Sequence, residues 1–500
     1  MRAIRFVLVV AIALLILPFV YDAVWAQSQT KIFDLATQKL VLTTYIDTWA
    51  NPSTSRYWAR WNWDACGVVH DPNYVYPNGK HDIASVYYPL IGPYDSSDES
   101  VIEYHIRLAQ ASGIDVFVVD WYGTRNFYDF PAQNRKFINI LRIAESMNFG
   151  IAVDYDATKF YLGEPGQSIS KALIPDRSEA LQAIHEDLAY VIKQFGGSPS
   201  YLKFNGKPVI FAFSNYDLEP PKWGDIFGSL RKQGLDAFYV DMQGNTKYYP
   251  YFQGFFPWIW ADAIAKGQTD SVSYINDAEQ RLDAFARYRS VSWGLGVWPG
   301  FDDTGVGGWC YDRGILKIGR AGGALYNQTW KAALRGAPSW IFIITFNDWS
   351  EGTIIEPSRE FGYQYLYSTA YFASQFKKQA ASYDAIPVPL AIYNATEAVK
   401  LAERQGRIVG LDDARERLEQ AKVTFDSKQY SDALVLANQA RQLALQATMP
   451  QFSATTNLLS TTISVQTPIF SAYWLVPITG IVIVGATVLY VVRRKRRTDV

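Results

Sequence analysis

Carboxylates and aromatic residues recur in this chain just after short apolar runs. Asp120-Trp121-Tyr122-Gly123 follows one run, and Asp154, Tyr155 and Asp156 follow another. Asp241 ends a third. Trp258, Trp260 and Asp262 follow a fourth, and Pro299-Gly300-Phe301-Asp302-Asp303-Thr304 a fifth. The last is the richest: Asn347-Asp348-Trp349-Ser350-Glu351-Gly352-Thr353, with Asp348 and Glu351 three residues apart. Two carboxyl groups can cleave a glycosidic bond, one protonating the leaving oxygen and the other acting as base or nucleophile. The three-residue spacing would put both on one face of a helical turn. Flat aromatic side chains pack on sugar rings, although they also fill cores. Lys and Arg are scarce at these positions, and the net charge is −1, which disfavours phosphate, nucleic acid and other polyanionic partners. A carboxylate after a strand can equally cap a helix. Asp302 and Asp303 also read as a turn, and Asp98 and Asp412 as plain helix starts.

The elements that must position these residues are legible as well. Eight β-rich apolar runs stand at Leu40–Ile46, Asp115–Asp120, Gly150–Asp154, Pro208–Phe213, Ala237–Asp241, Gly254–Trp258, Trp293–Trp298 and Trp340–Phe346, most with a helix-like segment before the next. Alternating strands and helices imply βα units and a parallel sheet, and near-continuous apolar strands suit a sheet buried on both faces. The expectation is an α/β fold, a (β/α)8 TIM-type barrel over residues 31–386, whose active site lies at the C-terminal ends of its strands. Gly113-Ile114-Asp115 before one run and Gly234-Leu235-Asp236 before another read as a helix ending at Gly, then a buried strand with a carboxylate at its end.

Outside the barrel the composition changes. Residues 1–26 read as a signal peptide: Arg2 and Arg5, an apolar run from Phe6 to Val20, then small residues up to Ala26. Residues 390–448 are rich in Ala and Leu at helical spacing, and read as a small α-helical hairpin-like spacer of two or three helices. Residues 449–471 are Ser- and Thr-rich and read as a stalk. Residues 472–492 are apolar and long enough to span a bilayer, and the basic tail 493–500 would stay on the cytoplasmic side. The chain is therefore expected at the cell membrane, single-pass, with its barrel extracellular. Cys66 and Cys310 could pair in such a compartment, but sequence leaves the question open. The His residues show no H-E-x-x-H pattern, and neither a metal nor another cofactor is expected.

Ile344-Thr345-Phe346-Asn347-Asp348-Trp349-Ser350-Glu351-Gly352-Thr353-Ile354-Ile355-Glu356-Pro357 resembles the signature of the endo-α-mannosidases and endo-α-1,2-mannanases, a family of glycoside hydrolases. Tyr87-Tyr88-Pro89-Leu90-Ile91-Gly92-Pro93-Tyr94, Val119-Asp120-Trp121-Tyr122-Gly123 and Pro299-Gly300-Phe301-Asp302-Asp303-Thr304 are similar to three further family segments, in order, so that the likeness covers about Leu40 to Tyr371. The resemblance implies a retaining endo-acting cut of an α-mannosidic bond in which the substrate's own 2-hydroxyl takes part. It makes Asp348 the base and Glu351 the acid/base, and maps a substrate-binding acid to Asp156. Tyr45, Trp121 and Trp258 are expected to line the sugar subsites. Tyr88, Tyr122, Asp154, Asp302, Asp303, Asn347 and Trp349 complete the candidate substrate-binding set. The chain departs from the family where Asp348 replaces Glu, Ser350 replaces His, Val153-Asp154-Tyr155-Asp156 replaces His-Ile-Glu-Pro and Trp258 replaces Tyr. Two alternatives stay open: a catalytically weak glycan-binding surface protein on the same barrel, or the same chemistry on another glycan.

Overall fold

The computed structural model describes residues 31–449, apart from 164–171, 214–216, 243 and 287–291. The expected signal peptide, membrane helix and basic tail lie outside the described residues, as does nearly all of the stalk. Among the described residues no helix is long and apolar enough to cross a membrane.

Eight parallel strands form the centre: β1 Val41–Tyr45, β2 Val116–Trp121, β3 Gly150–Tyr155, β4 Lys207–Ala212, β5 Phe238–Asp241, β6 Gly254–Phe255, β7 Ser292–Val297 and β8 Trp340–Ile343. Each falls on one of the eight apolar runs. Every strand is hydrogen-bonded to its sequence neighbours, and β8 pairs back onto β1 with Val41 opposite Ile341 and Thr43 opposite Ile343, so the sheet closes into a barrel. Closure leaves no unpaired sheet edge. The strand residues are almost all buried, because side chains of one parity fill the barrel and those of the other meet the surrounding helices.

The longer helices around it are α1 Glu99–Ala111, α2 Phe130–Ser146, α3 Arg177–Gln194, α4 Pro220–Lys232, α5 Ser271–Ala286, α6 Ala324–Arg335 and α7 Gln364–Lys377, with short helical turns at Thr158–Leu162 and Ala261–Ala265. Asp98 caps α1, its carboxylate accepting from Ser100 N at 2.9 Å. Gly113 and Gly234 have φ of +79° and +75°, a left-handed turn that residues with a Cβ adopt at a cost.

Three further helices follow, α8 Val388–Arg404, α9 Leu411–Asp426 and α10 Tyr430–Gln446. The expected hairpin-like spacer is thus a three-helix unit. Its Ala stripes are buried, Ala414 and Ala421 on α9 and Ala433, Ala437, Ala440 and Ala444 on α10. Small side chains let these helices approach closely. The unit is built onto α1: Lys400 pairs with Asp98 at 2.8 Å, Lys422 with Glu103 at 3.4 Å and Arg107 with Asp426 at 2.6 Å. One continuous apolar core runs from Phe33 to Ala447. Asp412, expected as a helix start, lies in the first turn of α9, behind Gly410 at the cap.

Two long loops build up the C-terminal rim. The loop from Ile46 to Asp98 carries a small hairpin of Trp63–Ala65 and Val68–His70. The loop after β7 pairs Phe301–Asp302 with Lys317–Ile318. A disulfide joins them, Cys66 to Cys310, with the Cα atoms 5.1 Å apart. Beneath the first loop lies a second small core of Ile46, Trp49, Trp61, Ile83, Tyr88, Tyr94, Val101, Trp349 and Ile354.

Candidate active site

β8 delivers the two acids. Past Ile343 the chain turns at once, and three contacts brace the turn. Asp348 N donates to Thr345 Oγ1 at 2.9 Å, the Thr345 and Thr353 hydroxyls lie 2.8 Å apart, and Thr345 N donates to Thr353 O at 3.1 Å. The Asp348 carboxylate, 7 % exposed, accepts from Ser350 N at 3.1 Å and Glu351 N at 3.3 Å through Oδ1. Two backbone donors therefore fix its orientation. The Glu351 side chain is half-buried and makes no hydrogen bond or ion pair among the described residues. Burial, with Asp348 and Asp303 close by, pushes its carboxyl up to about 8, against the opposing pull of Arg60 and Arg313. One acid is tethered, and the other keeps its proton at neutral pH.

A second group of acids faces them from β2 and β3. Asp120 and Asp154 are register partners on adjacent strands and both are buried. Asp120 accepts from the Tyr122 hydroxyl at 2.6 Å. Burial raises both carboxyls above the usual range; neighbouring Asp120 and Asp156 raise Asp154 further, while Lys159 and Arg60 oppose the shift at Asp120. Asp156 is ion-paired with Lys159. Asp348 also acts on Asp120, so the two groups share one electrostatic space. Trp258 is half-buried at the rim, edge-to-face with Phe213 at 4.9 Å, and Trp260 lies 6.0 Å from the same ring.

Several residues expected to line the sugar subsites lie elsewhere. Tyr45 and Trp121 are fully buried. The Tyr45 hydroxyl is 2.9 Å from His105 Nδ1 on α1, and the Trp121 indole donates to Asn134 on α2 at 3.2 Å. Both point away from the barrel axis. Asn347 clamps β1, accepting from Ile46 N at 2.7 Å and donating to Ile46 O at 3.0 Å. The Trp349 indole donates to Tyr94 Oη and to Glu356 Oε2, each at 3.1 Å. Tyr88, 4 % exposed, accepts from His81 N at 3.2 Å. Asp303, fully buried, accepts from Leu316 N at 2.7 Å and pairs with Arg313 at 2.9 Å. Asp302 closes a turn on Thr304, and its own N donates to Glu351 O at 2.8 Å. The side chains of these seven are engaged in packing or in hydrogen bonds within the protein, with Asp302 and Asp303 bordering Glu351. Tyr122, Asp154, Asp156 and Trp258 stay at the rim with the acid pair.

The structure adds a buried network that sequence reading did not assign. Glu356, 1 % exposed, accepts from the Tyr94 hydroxyl at 2.8 Å, the Trp349 indole at 3.1 Å and His105 Nε2 at 3.1 Å. Tyr94 Oη in turn accepts from Asn347 Nδ2 at 3.1 Å. The residues on either side of Asp348 are therefore tied through Glu356 to α1. Glu356 stood within the signature, but nothing in its spacing separates a buried acceptor from a catalytic one. Arg60, Lys159 and Arg313 are further additions, cations brought to the rim by two loops and, for Lys159, by the short helix Thr158–Leu162.

A closed eightfold βα barrel with a tethered and a protonated carboxyl in the turn after its last strand has the layout of a glycoside hydrolase site. The chain belongs to glycosyl hydrolase family 99, whose model matches residues 36–379. It is 26% identical over 330 residues to glycoprotein endo-α-1,2-mannosidase of Rattus norvegicus, covering 62% of this chain and 66% of that one. It is also 26% identical over 315 residues to a glycoprotein endo-α-1,2-mannosidase-like protein of Danio rerio, covering 59% and 66%. The chain thus spans just under two thirds of the length of these curated relatives. The family 99 endo-α-mannosidase structure from Bacteroides thetaiotaomicron superposes with a TM-score of 0.52 at 22% identity, over 69% of this chain and 98% of that one, which supports the barrel fold.

Proposed function

We propose that this protein hydrolyses α-mannosidic bonds within glycan chains with retention of configuration. The observation that carries this reading is the contrast within one turn: Asp348 held by two amides, Glu351 unpartnered among the described residues and protonated near neutral pH. Asp348 takes the proton of the sugar's 2-hydroxyl. The 2-oxygen then closes on C1 as the C1–O bond to the leaving sugar breaks, and Glu351 gives its proton to the leaving oxygen. In the second half Glu351 accepts a proton from water, the water oxygen bonds to C1 as the C1–O2 bond breaks, and Asp348 returns its proton to O2. No covalent glycosyl-enzyme forms. Asp156, Asp154 and Tyr122 are the hydroxyl-binding set, and Trp258 the ring platform.

The test is the full chain incubated with α-mannan and α-1,2-mannosyl oligosaccharides. Release of oligosaccharides that stops on Glu351→Gln and on Asp348→Asn supports the reading. Binding without release supports a glycan-binding role instead, and activity on a different α-glycan would change the sugar but keep the chemistry. We also infer, from sequence alone, that residues 472–492 anchor the chain with the barrel outside the cell. Solubilisation by alkaline carbonate without detergent would contradict the anchor.

A further inference from the structure

The loop between β1 and α1 brings to the rim that carries the acid pair a cation that the barrel strands do not supply. Arg60 has φ +64°, a strained backbone for a side chain of its size. Its Nη1 donates to Thr48 Oγ1 at 3.1 Å, just past the end of β1. Its guanidinium carbon lies 5.6 Å from the ring centre of Trp49 and 5.6 Å from that of Trp309. Trp309 meets Trp63 edge to face at 5.2 Å, and the next residue, Cys310, is bonded to Cys66. The disulfide therefore closes a clasp between two rim loops, with Arg60 packed against its indole.

The charges around the pair come from four directions. Asp348 and Glu351 belong to the turn after β8, Asp120 to β2 and Tyr122 to the residue after it, Asp154 to β3, Asp156 and Lys159 to the segment and short helix after it, and Asp303 and Arg313 to the loop after β7. Lys159 is taken by Asp156, and Arg313 by Asp303 and Asp262. Arg60 makes no ion pair among the described residues, yet the ionisable groups of Tyr122, Asp348, Asp120 and Glu351 all act on it. In the reaction proposed above, negative charge passes from Asp348 to Glu351 as one gains and the other loses a proton. Arg60 is anchored on Thr48, two residues from Ile46, which Asn347 clamps beside Asp348; a cation fixed there need not move during that transfer, and preorganisation of this kind is a major source of catalysis.

We propose that Arg60 is a positioning residue for the acid pair, a cation held beside Asp348 and Glu351 by the Cys66–Cys310 clasp. The inference rests on the roles assigned to those acids, so its test has a readout that does not need turnover. In the full chain, the pH at which Glu351 stops reacting with a water-soluble carbodiimide is read by peptide mass spectrometry. Arg60→Met raises that midpoint by about 0.5 pH unit or more, while Arg60→Lys stays near the parent value. Cys66→Ser combined with Cys310→Ser, and the parent chain under dithiothreitol, move it in the same direction as Arg60→Met. Activity follows: kcat/KM on an α-mannosyl oligosaccharide at pH 6 falls about tenfold or more in Arg60→Met. An unmoved midpoint in Arg60→Met overturns the role of Arg60, and a midpoint that moves there but not on loss of the disulfide overturns the clasp. Where Arg60→Met does not fold, Arg60→Gln, neutral and still hydrogen-bonding, replaces it. If the parent chain cleaves no α-mannoside, the proposed function fails, and the labelling midpoint still decides on Arg60.

Discussion

Glu351 is a liability to the fold for the same reason that it suits the chemistry. Its folded carboxyl titrates near 8, against an ordinary value of 4.5. Between those values the folded chain keeps a proton that the unfolded chain has released, so stability falls as pH rises through that window. Glu351→Gln removes the burden: its Tm should exceed that of the parent by a few degrees at pH 8, and the two should converge at pH 4.5. The same substitution should lower kcat/KM by about 10²–10⁴-fold, the usual worth of a general acid. In the parent chain, kcat/KM should hold up to near pH 8 and then fall about tenfold per unit as Glu351 loses the proton that it must donate. A rate that keeps rising above pH 9 would rule out Glu351 as the acid.

At the level of the element, Asn347 makes β1 and the turn after β8 one unit. Asn347→Ala leaves Ile46 N and O without partners in a buried seam, at a cost of about 2–4 kcal/mol. Urea unfolding should show that loss, together with reduced kcat, because Asp348 is the next residue. Gly294 on β7 is a second sensitive point, since a Cβ there runs into the Trp340 indole of β8. Strand geometry also explains which sequence expectations went astray. Side chains alternate across a strand, so Asp120 and Trp121 cannot both face the lumen, nor can Asp348 and its neighbours Asn347 and Trp349 share a direction in so tight a turn. The motif marked the right segments, but parity within each segment sends Trp121, Tyr45, Asn347 and Trp349 outward into packing. The eight strands themselves were legible because burial on both faces makes them apolar throughout. Arg60 was not, because it reaches the site through a loop fold that no local pattern encodes.

The whole molecule is larger than its barrel. α8 to α10 cover one side of α1, where Ser100, Tyr104 and Arg107 are buried. Ending the chain after Gln379 would strip that cover and leave the nearly buried Arg107 without Asp426 or the Phe425 ring, 5.3 Å away. Such a chain should aggregate or elute as a broad species in size-exclusion chromatography, whereas a well-folded monomer with full activity would show the helices to be dispensable. The closing seam also fixes when chemistry can begin. Both acids arrive with the last strand, and their turn is pinned to residue 46, so a nascent chain lacks a working centre until some three hundred residues have followed the strand it must rejoin. In the proposed reaction, activity thus reports that the ring has been completed, and a circular permutant cut within the turn after β8 should lose it even when its far-ultraviolet spectrum looks native.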